Sequence, residues 1–230
     1  MALANPTNYD NDRDQSSLME RSYRELEELI VTLKLTPGSV LSEGALSRTL
    51  GIGRTPIREA LQRLSMEGLI VVMPRRGILV SEVNIKNQLE LLKVRREVER
   101  LVVRLSSERA TPGERAEFQA IGAGMRDAAA RDDDVCFMRL DQRFDDLLAS
   151  SCRNDHAKRA MGVMMGSSRR FWYMHFKRTH ELVQSAAFHA DIAEAVGAGH
   201  GDEAAKACDR HIDYVEGFTR RSADFVEFRL

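Results

Sequence analysis

Apolar residues first recur at helical spacing between Ser17 and Leu35, where Leu18, Tyr23, Leu26, Leu29, Ile30 and Leu33 share a face before Pro37-Gly38 stops the run. Residues 1 to about 15 are rich in Asn and Asp, lack that spacing and are predicted to form a disordered arm. A short helix is predicted from Ser42 to Leu50, with Ser42 as N-cap candidate and Gly51 just past its end. A third helix follows the turn at Gly51 to Arg54. Pro56 suits its first turn, and Ile57, Ala60, Leu61 and Leu64 form its apolar face before Gly68. The β-branched runs Leu69 to Met73 and Ile78 to Val83, separated by Pro74-Arg75-Arg76-Gly77, predict a small hairpin.

Beyond Asn84 the spacing is helical throughout, and helices are predicted at about 85–109, 112–130, 134–151, 155–179, 181–198 and 202–222 or later. The first gathers Leu91, Val94, Val98, Leu101, Val102 and Leu105 on one face, while Arg95, Arg96, Glu99 and Arg100 fall partly on the other. The fold class is therefore mainly α. A winged helix-turn-helix over 16–83 precedes an all-helical bundle over 84–230, for which the family resemblance described below implies six or seven helices, and there is no internal repeat.

A length of 230 residues suits two modest domains, and with 43% hydrophobic and 30% charged residues each has material for a core. A net charge of −1 excludes a chain that is basic throughout, so a nucleic-acid surface has to be local. Lys34 to Val80 is such a region, with seven cations against the three anions Glu43, Glu59 and Glu67. Cys136, Cys152 and Cys208 are odd in number and widely spaced, which fits a reducing cytoplasm better than a disulfide framework or a zinc ribbon. No apolar run approaches membrane-spanning length and Met1 to Ser17 is polar, so a soluble, unexported protein is expected.

The second helix of a helix-turn-helix enters the major groove by its N-terminal end, where donors are needed, and here Arg54, Thr55 and Arg58 stand. Arg54 and Arg58 are one turn apart and away from Ile57, Leu61 and Leu64, suited to guanine edges or phosphate, although ordinary solvated arginines would show the same spacing. The stretch from Leu41 to Leu64, with its core Arg54-Thr55-Pro56-Ile57-Arg58-Glu59-Ala60-Leu61, and the Glu67-Gly68-Leu69-Ile70 that follows, resembles the DNA-binding signature of the GntR family of bacterial regulators. The resemblance covers Ser17 to Val83. It implies that Arg54, Thr55 and Arg58 touch DNA and that the wing tip Arg75-Arg76-Gly77 reaches the minor groove. Gly44 stands where family members often carry Arg or another polar residue, and Arg48, one turn on, offers a compensating cation.

The helical remainder resembles the FadR-like branch of that family, through stretches at 94–111, 141–155 and 191–212. The resemblance implies a metal and a small carboxylate effector in the bundle. Asp141, His189 and His211 fall at matching ligand positions, but Asp145 stands where the family pattern has His. Asp141 and Asp145 are an i, i+4 pair, and two carboxylates with two imidazoles are a reasonable set for Zn²⁺, Mn²⁺, Fe²⁺ or Ni²⁺. The competing outcome is an Asp pair without metal that takes a cationic or hydroxyl-rich ligand. Arg95 sits where the family carries an inward Arg for an effector carboxylate; its plain alternative is a salt bridge to Glu99. Arg169-Arg170-Phe171-Trp172-Tyr173 adds charge and aromatic surface, expected mainly as packing.

The expected function is sequence-specific transcription regulation, as a repressor, by a homodimer on a palindromic double-stranded operator, modulated by a small carboxylate and with no membrane partner. The competing class is a metal-dependent hydrolase built on Asp141, Asp145, His189 and His211, although no further base or nucleophile motif accompanies them.

Overall fold

The computed structural model describes residues 7–73, 77–179 and 181–227, with side chains described for 18–73, 77–176 and 181–222. The chain divides into two compact units, Met1–Val83 and Asn84–Leu230.

In the first unit the order is α1 (Thr7–Val31), β1 (Val40–Leu41), α2 (Glu43–Leu50), α3 (Arg54–Met66), β2 (Ile70–Met73) and β3 (Gly77–Val80). Residues 7–15, expected in a disordered arm, are helical; residues 1–6 lie outside the described residues. The reason is that a helix nucleated over the apolar stretch after Ser17 extends at little cost, since each added residue gains a hydrogen bond without a new nucleus. At the other end the helix stops at Val31, short of the expected Leu35. Leu33 turns left-handed at φ 60° and the Leu35 N–H bonds back to the Leu29 carbonyl at 2.8 Å.

The sheet has the order β1-β3-β2, antiparallel throughout, with Val40 opposite Leu79 and Val72 opposite Ile78. Strand β1 was not predicted, because two residues cannot display a period. The expected second hairpin strand ends at Val80, three residues early, since neither neighbour continues past it: Ile70, the first residue of β2, pairs with Val80, and Val40, the first of β1, with Leu79. Leu26, Ile30, Ile57, Leu64, Leu69 and Ile70 are essentially fully buried and make the core on which α2 and α3 are mounted. The turn between α2 and α3 depends on Gly51, whose φ of 65° is costly for any residue with a Cβ. Ser42 stands at the N-cap of α2 with extended backbone, but its side chain makes no cap hydrogen bond. Beneath α3, the buried Tyr23 hydroxyl donates to Glu67 Oε2 at 2.8 Å, and the Arg63 guanidinium lies 3.5 Å from the Tyr23 ring centre. These contacts fix the far end of α3 to α1.

The second unit comprises α4 (Ile85–Arg109), α5 (Pro112–Ala130), α6 (Asp134–Ser151), α7 (Asp155–Thr179), α8 (Leu182–Ala198) and α9 (Gly201–Glu227). The Asn84 side chain caps α4 through the Asn87 N–H, and Thr111 with Glu114 forms a capping box on α5. Helix α4 lies against α9 and α5 against α8. A Cβ on Gly122 would meet Ala193 Cβ at 3.3 Å, so glycine is what lets α5 and α8 approach this closely. Phe118, Phe137, Phe171, Phe218 and Met125 fill the interior. Among the described residues no helix is long and apolar enough to cross a membrane, and the three cysteines are unbridged.

The face of α4 differs from what apolar spacing suggests. Gln88, Leu92, Arg95, Glu99, Val102, Val103 and Ser106 point inward, whereas Val94 and Leu101 are exposed. Arg95 and Glu99 neutralise each other inside, which makes a polar inward face tolerable.

Candidate nucleic-acid interface and buried polar site

At the start of α3, Arg54, Thr55 and Arg58 are all exposed, and Arg48 is exposed on α2. Pro56, Ile57, Ala60, Leu61 and Leu64 anchor the opposite face of α3, so the presented donors sit on a rigid element. Arg58 makes a bidentate contact to Glu43, with Nε to Oε1 at 3.1 Å and Nη2 to Oε2 at 2.9 Å. That hydrogen-bonded pairing holds the Glu43 carboxyl below its usual range. The guanidinium groups of Arg48 and Arg54 converge over Gly44: a Cβ there would lie 3.8 Å from a nitrogen of each. Gly44 is thus the floor of a two-arginine cradle, and Arg48 occupies the space that a longer residue 44 would share. In the wing, Gly77 opens β3 at φ 87°; Arg75 and Arg76 lie outside the described residues. Exposed arginines around the free N–H groups of a helix start can take phosphate and base edges together.

The second unit contains a cavity of about 30 Å³ in the middle of its bundle. Its walls bring together Arg95 of α4, Asp141 and Asp145 of α6, Arg169 of α7, His189 of α8 and His211 of α9. All five predicted residues of this domain therefore reach one place. His189 Nδ1 lies 2.8 Å from the Ser185 carbonyl oxygen, which accepts from it, and His189 Nε2 lies 3.0 Å from Asp141 Oδ1. The His189 and His211 rings meet edge-on, 4.2 Å between centres. Arg95 pairs with Glu99 and donates to Ser168 Oγ at 2.6 Å. Arg169 Nη1 stands 3.6 Å from Asp145 Oδ2.

The electrostatics follow from these contacts. Burial by itself would raise the Asp141 pKa, but attraction to His189, their hydrogen bond and the nearby Arg169 and Arg95 outweigh it and hold Asp141 low. Burial would lower His189, yet Asp141 raises it, so the two form an ion pair. Burial and the Asp141 charge push Asp145 well up, and burial with the neighbouring His189 and Arg95 charges pushes His211 well down. The pocket accordingly holds one carboxylate, one imidazolium, one carboxyl group that favours its proton and one neutral imidazole.

The expected four-residue cation set is not assembled. Among the described residues no three His, Cys, Asp or Glu side chains come together as a metal-holding group. Asp141 has closed on His189, and Asp145 faces Arg169. The donor chemistry is nonetheless suitable: with its Nδ1 proton committed to Ser185, His189 would offer Nε2 once a cation displaced the proton it shares with Asp141, and the buried His211 Nδ1 has no hydrogen-bond partner. Glu99 as the partner of Arg95 was visible from i, i+4 spacing. Ser168 and the Arg169–Asp145 pair were not, because periodicity within one helix does not show how it meets another, whether α7 meets the distant α4 or the adjoining α6.

Comparison with known proteins settles the family. The model described as "Bacterial regulatory proteins, gntR family" matches residues 18–80, and that described as "FCD domain" matches 90–214. The chain belongs to the GntR family, in its FCD-domain form. The Escherichia coli K12 "HTH-type transcriptional repressor RspR" is 26% identical over 202 residues, covering 88% of this chain and 89% of that protein. An uncharacterised HTH-type transcriptional regulator of Streptomyces ambofaciens is 45% identical over 62 residues, 27% of this chain. The match spans only 26% of that protein, so it bears on one domain alone. The solved Escherichia coli McbR/YncC superimposes with a TM-score of 0.73 at 22% identity, covering 90% of this chain and 98% of that one, which establishes the likeness of fold. This GntR/FCD chain is a DNA-binding transcription regulator. Its family and relatives are regulators, not enzymes, and the hydrolase reading is set aside on that ground.

Proposed function

We propose that the chain is a homodimeric cytoplasmic repressor that binds a palindromic operator through Arg48, Arg54, Thr55, Arg58 and the wing tip, and releases it when a small carboxylate enters the helical unit. The observation that carries the effector reading is the buried cavity in which Arg95 and Arg169 stand beside Asp141, Asp145, His189 and His211. Buried cations in a bundle interior are expensive unless paired; here Arg95 is paired with Glu99 and Arg169 stands beside Asp145, so an anion that took the place of either carboxylate would meet a cation already in position. At about 30 Å³ the cavity has room for about two water molecules and none for an organic acid. An effector therefore has to open the bundle and displace Glu99 from Arg95. That gives it unequal affinity for two arrangements, which any ligand-driven switch requires.

A divalent transition metal, Zn²⁺, Mn²⁺, Fe²⁺ or Ni²⁺, belongs to the same reading. Asp141, His189 and His211 would hold it, with Asp145 as the fourth residue in place of the family's His. Bound there, it would supply a Lewis-acidic anchor for the effector carboxylate. Thermal-shift titration with small carboxylates and sugar acids, followed by DNA release by the hits, tests the proposal. A ligand that stabilises the protein and displaces it from duplex selected out of a randomised pool supports it; selected duplex with no inverted repeat contradicts the palindromic dimer.

A further inference from the structure

Arg58 reaches the exposed side of α3 with part of its guanidinium already engaged. Its Nε and Nη2 donate to the two carboxylate oxygens of Glu43, the first residue of α2, at 3.1 and 2.9 Å. A guanidinium presents its N–H donors in a planar fork. The contact takes the Nε–Nη2 edge of that fork. It leaves the end edge, both hydrogens of Nη1 and the second of Nη2, which is still the paired donor that fits guanine O6 and N7. The carboxylate stands behind the group it holds, since the Arg58 side chain is 59% exposed and that of Glu43 30%. As an acid in the first turn of α2, Glu43 is also favoured there by the positive end of that helix, where Ser42 supplies no side-chain cap.

An ordinary surface salt bridge would matter little. On a face that meets DNA, however, a carboxylate repels every phosphate whatever the sequence, and it cancels the charge with which Arg58 would otherwise clamp one. Arg48 and Arg54 differ: they converge over Gly44, and among the described residues no carboxylate lies within salt-bridge distance of either, so their charge stays available to phosphate. A guanidinium held in one plane has less rotamer freedom to lose on binding, an advantage for a planar base edge, which has to be met in one orientation, more than for a phosphate.

We propose that Glu43 is a positioning residue for sequence reading: it fixes the Arg58 guanidinium for a base edge and, by its charge, withholds Arg58 from phosphate. The inference rests on the reading of α3 as the helix that contacts DNA, and it names a residue that sets how sharply that helix discriminates.

Fluorescence anisotropy of the full chain tests it, on duplex selected by the wild type from a randomised pool and on random duplex of equal length. The variants are Glu43→Gln, Arg58→Ala and the two together, with folding checked by circular dichroism. Glu43→Gln should steepen the fall of log affinity with log salt on random duplex by about 0.9, the mark of one more phosphate neutralised. It should also cut the preference for selected over random duplex about three- to tenfold, part of the roughly ten- to hundredfold that a bidentate base contact is worth. With Arg58 already replaced by Ala, the same change should leave the preference within about twofold. Equal loss on both duplexes for Glu43→Gln, or an unchanged preference while Arg58→Ala is impaired, overturns the role of Glu43 alone. A cut in preference that persists in the Arg58→Ala background puts Glu43 itself on a base, such as a cytosine amino group, and overturns it likewise. A wild type without preference, or Arg58→Ala without loss, overturns the reading helix and this proposal with it.

Discussion

Replacing Gly44 by Arg is expected to strengthen DNA binding while leaving the fold intact, and the structure supplies the magnitudes. Residue 44 is the second of α2, with no positive φ, and a Cβ there makes only ordinary contacts with Arg48 and Arg54 at 3.8 Å and Ser42 Oγ at 4.0 Å. A third guanidinium about 7 Å from the other two adds roughly 0.6 kcal/mol of repulsion per pair in water before screening. The better helix propensity of Arg over Gly returns up to about 0.8 kcal/mol, so folding stability changes little. On DNA the new cation can reach one more phosphate, steepening the fall of log affinity with log salt by about 0.9. The advantage over wild type should then grow about threefold between roughly 200 and 50 mM salt. Fluorescence anisotropy on a random-sequence duplex measures this, with Gly44→Ala as a control that gains helix propensity without the charge. An unchanged salt slope for Gly44→Arg would show that the Arg48–Arg54 cradle does not face phosphate.

Tyr23→Phe removes a buried donor from Glu67 and should cost about 1–3 kcal/mol in urea unfolding followed by circular dichroism. Trp172, the chain's one tryptophan, sits in the other unit, so its fluorescence transition should stay put; a shift there would mean the loss is not local. Asp145 has its folded pKa raised by burial and by Asp141, so its contribution to stability is full below about pH 4 and is lost as pH rises through the folded value. In chelator-treated, metal-free protein Asp145→Asn should therefore gain on wild type as pH climbs from about 5 to 9, and parallel pH profiles would refute the assignment. Elemental analysis should find about one divalent transition metal per chain, lost in His211→Ala and weakened below about pH 6.5 as imidazole takes up protons. Wild type without metal after incubation with Zn²⁺, Mn²⁺ or Ni²⁺ would refute the cation.

Element boundaries were legible where local chemistry marks them. Asn84 before α4, Thr111-Pro112 before α5 and Gly199 after α8 act through caps and backbone angles that depend on near neighbours. The orientation of α4 was not, because hydrophobic spacing cannot show that Arg95 and Glu99 cancel each other's charge and can go inside. The membership of the buried site was legible through the family pattern, which carries long-range information that periodicity lacks. Its internal pairing was not: the closure of Asp141 on His189 and of Asp145 toward Arg169 depends on how α6, α7 and α8 meet.

The account stands most directly on the start of α3 as the element that reads DNA. Duplex selected by the intact wild-type chain from a randomised pool, titrated at fixed salt against a random duplex of equal length, measures it in one experiment with Arg54→Ala and Arg58→Ala alongside. Wild type should prefer the selected sequence, and each variant should lose about ten- to hundredfold of affinity for it while keeping the wild-type circular dichroism and sedimentation. Undiminished binding and preference in both variants would contradict the assignment of α3 as the reading helix.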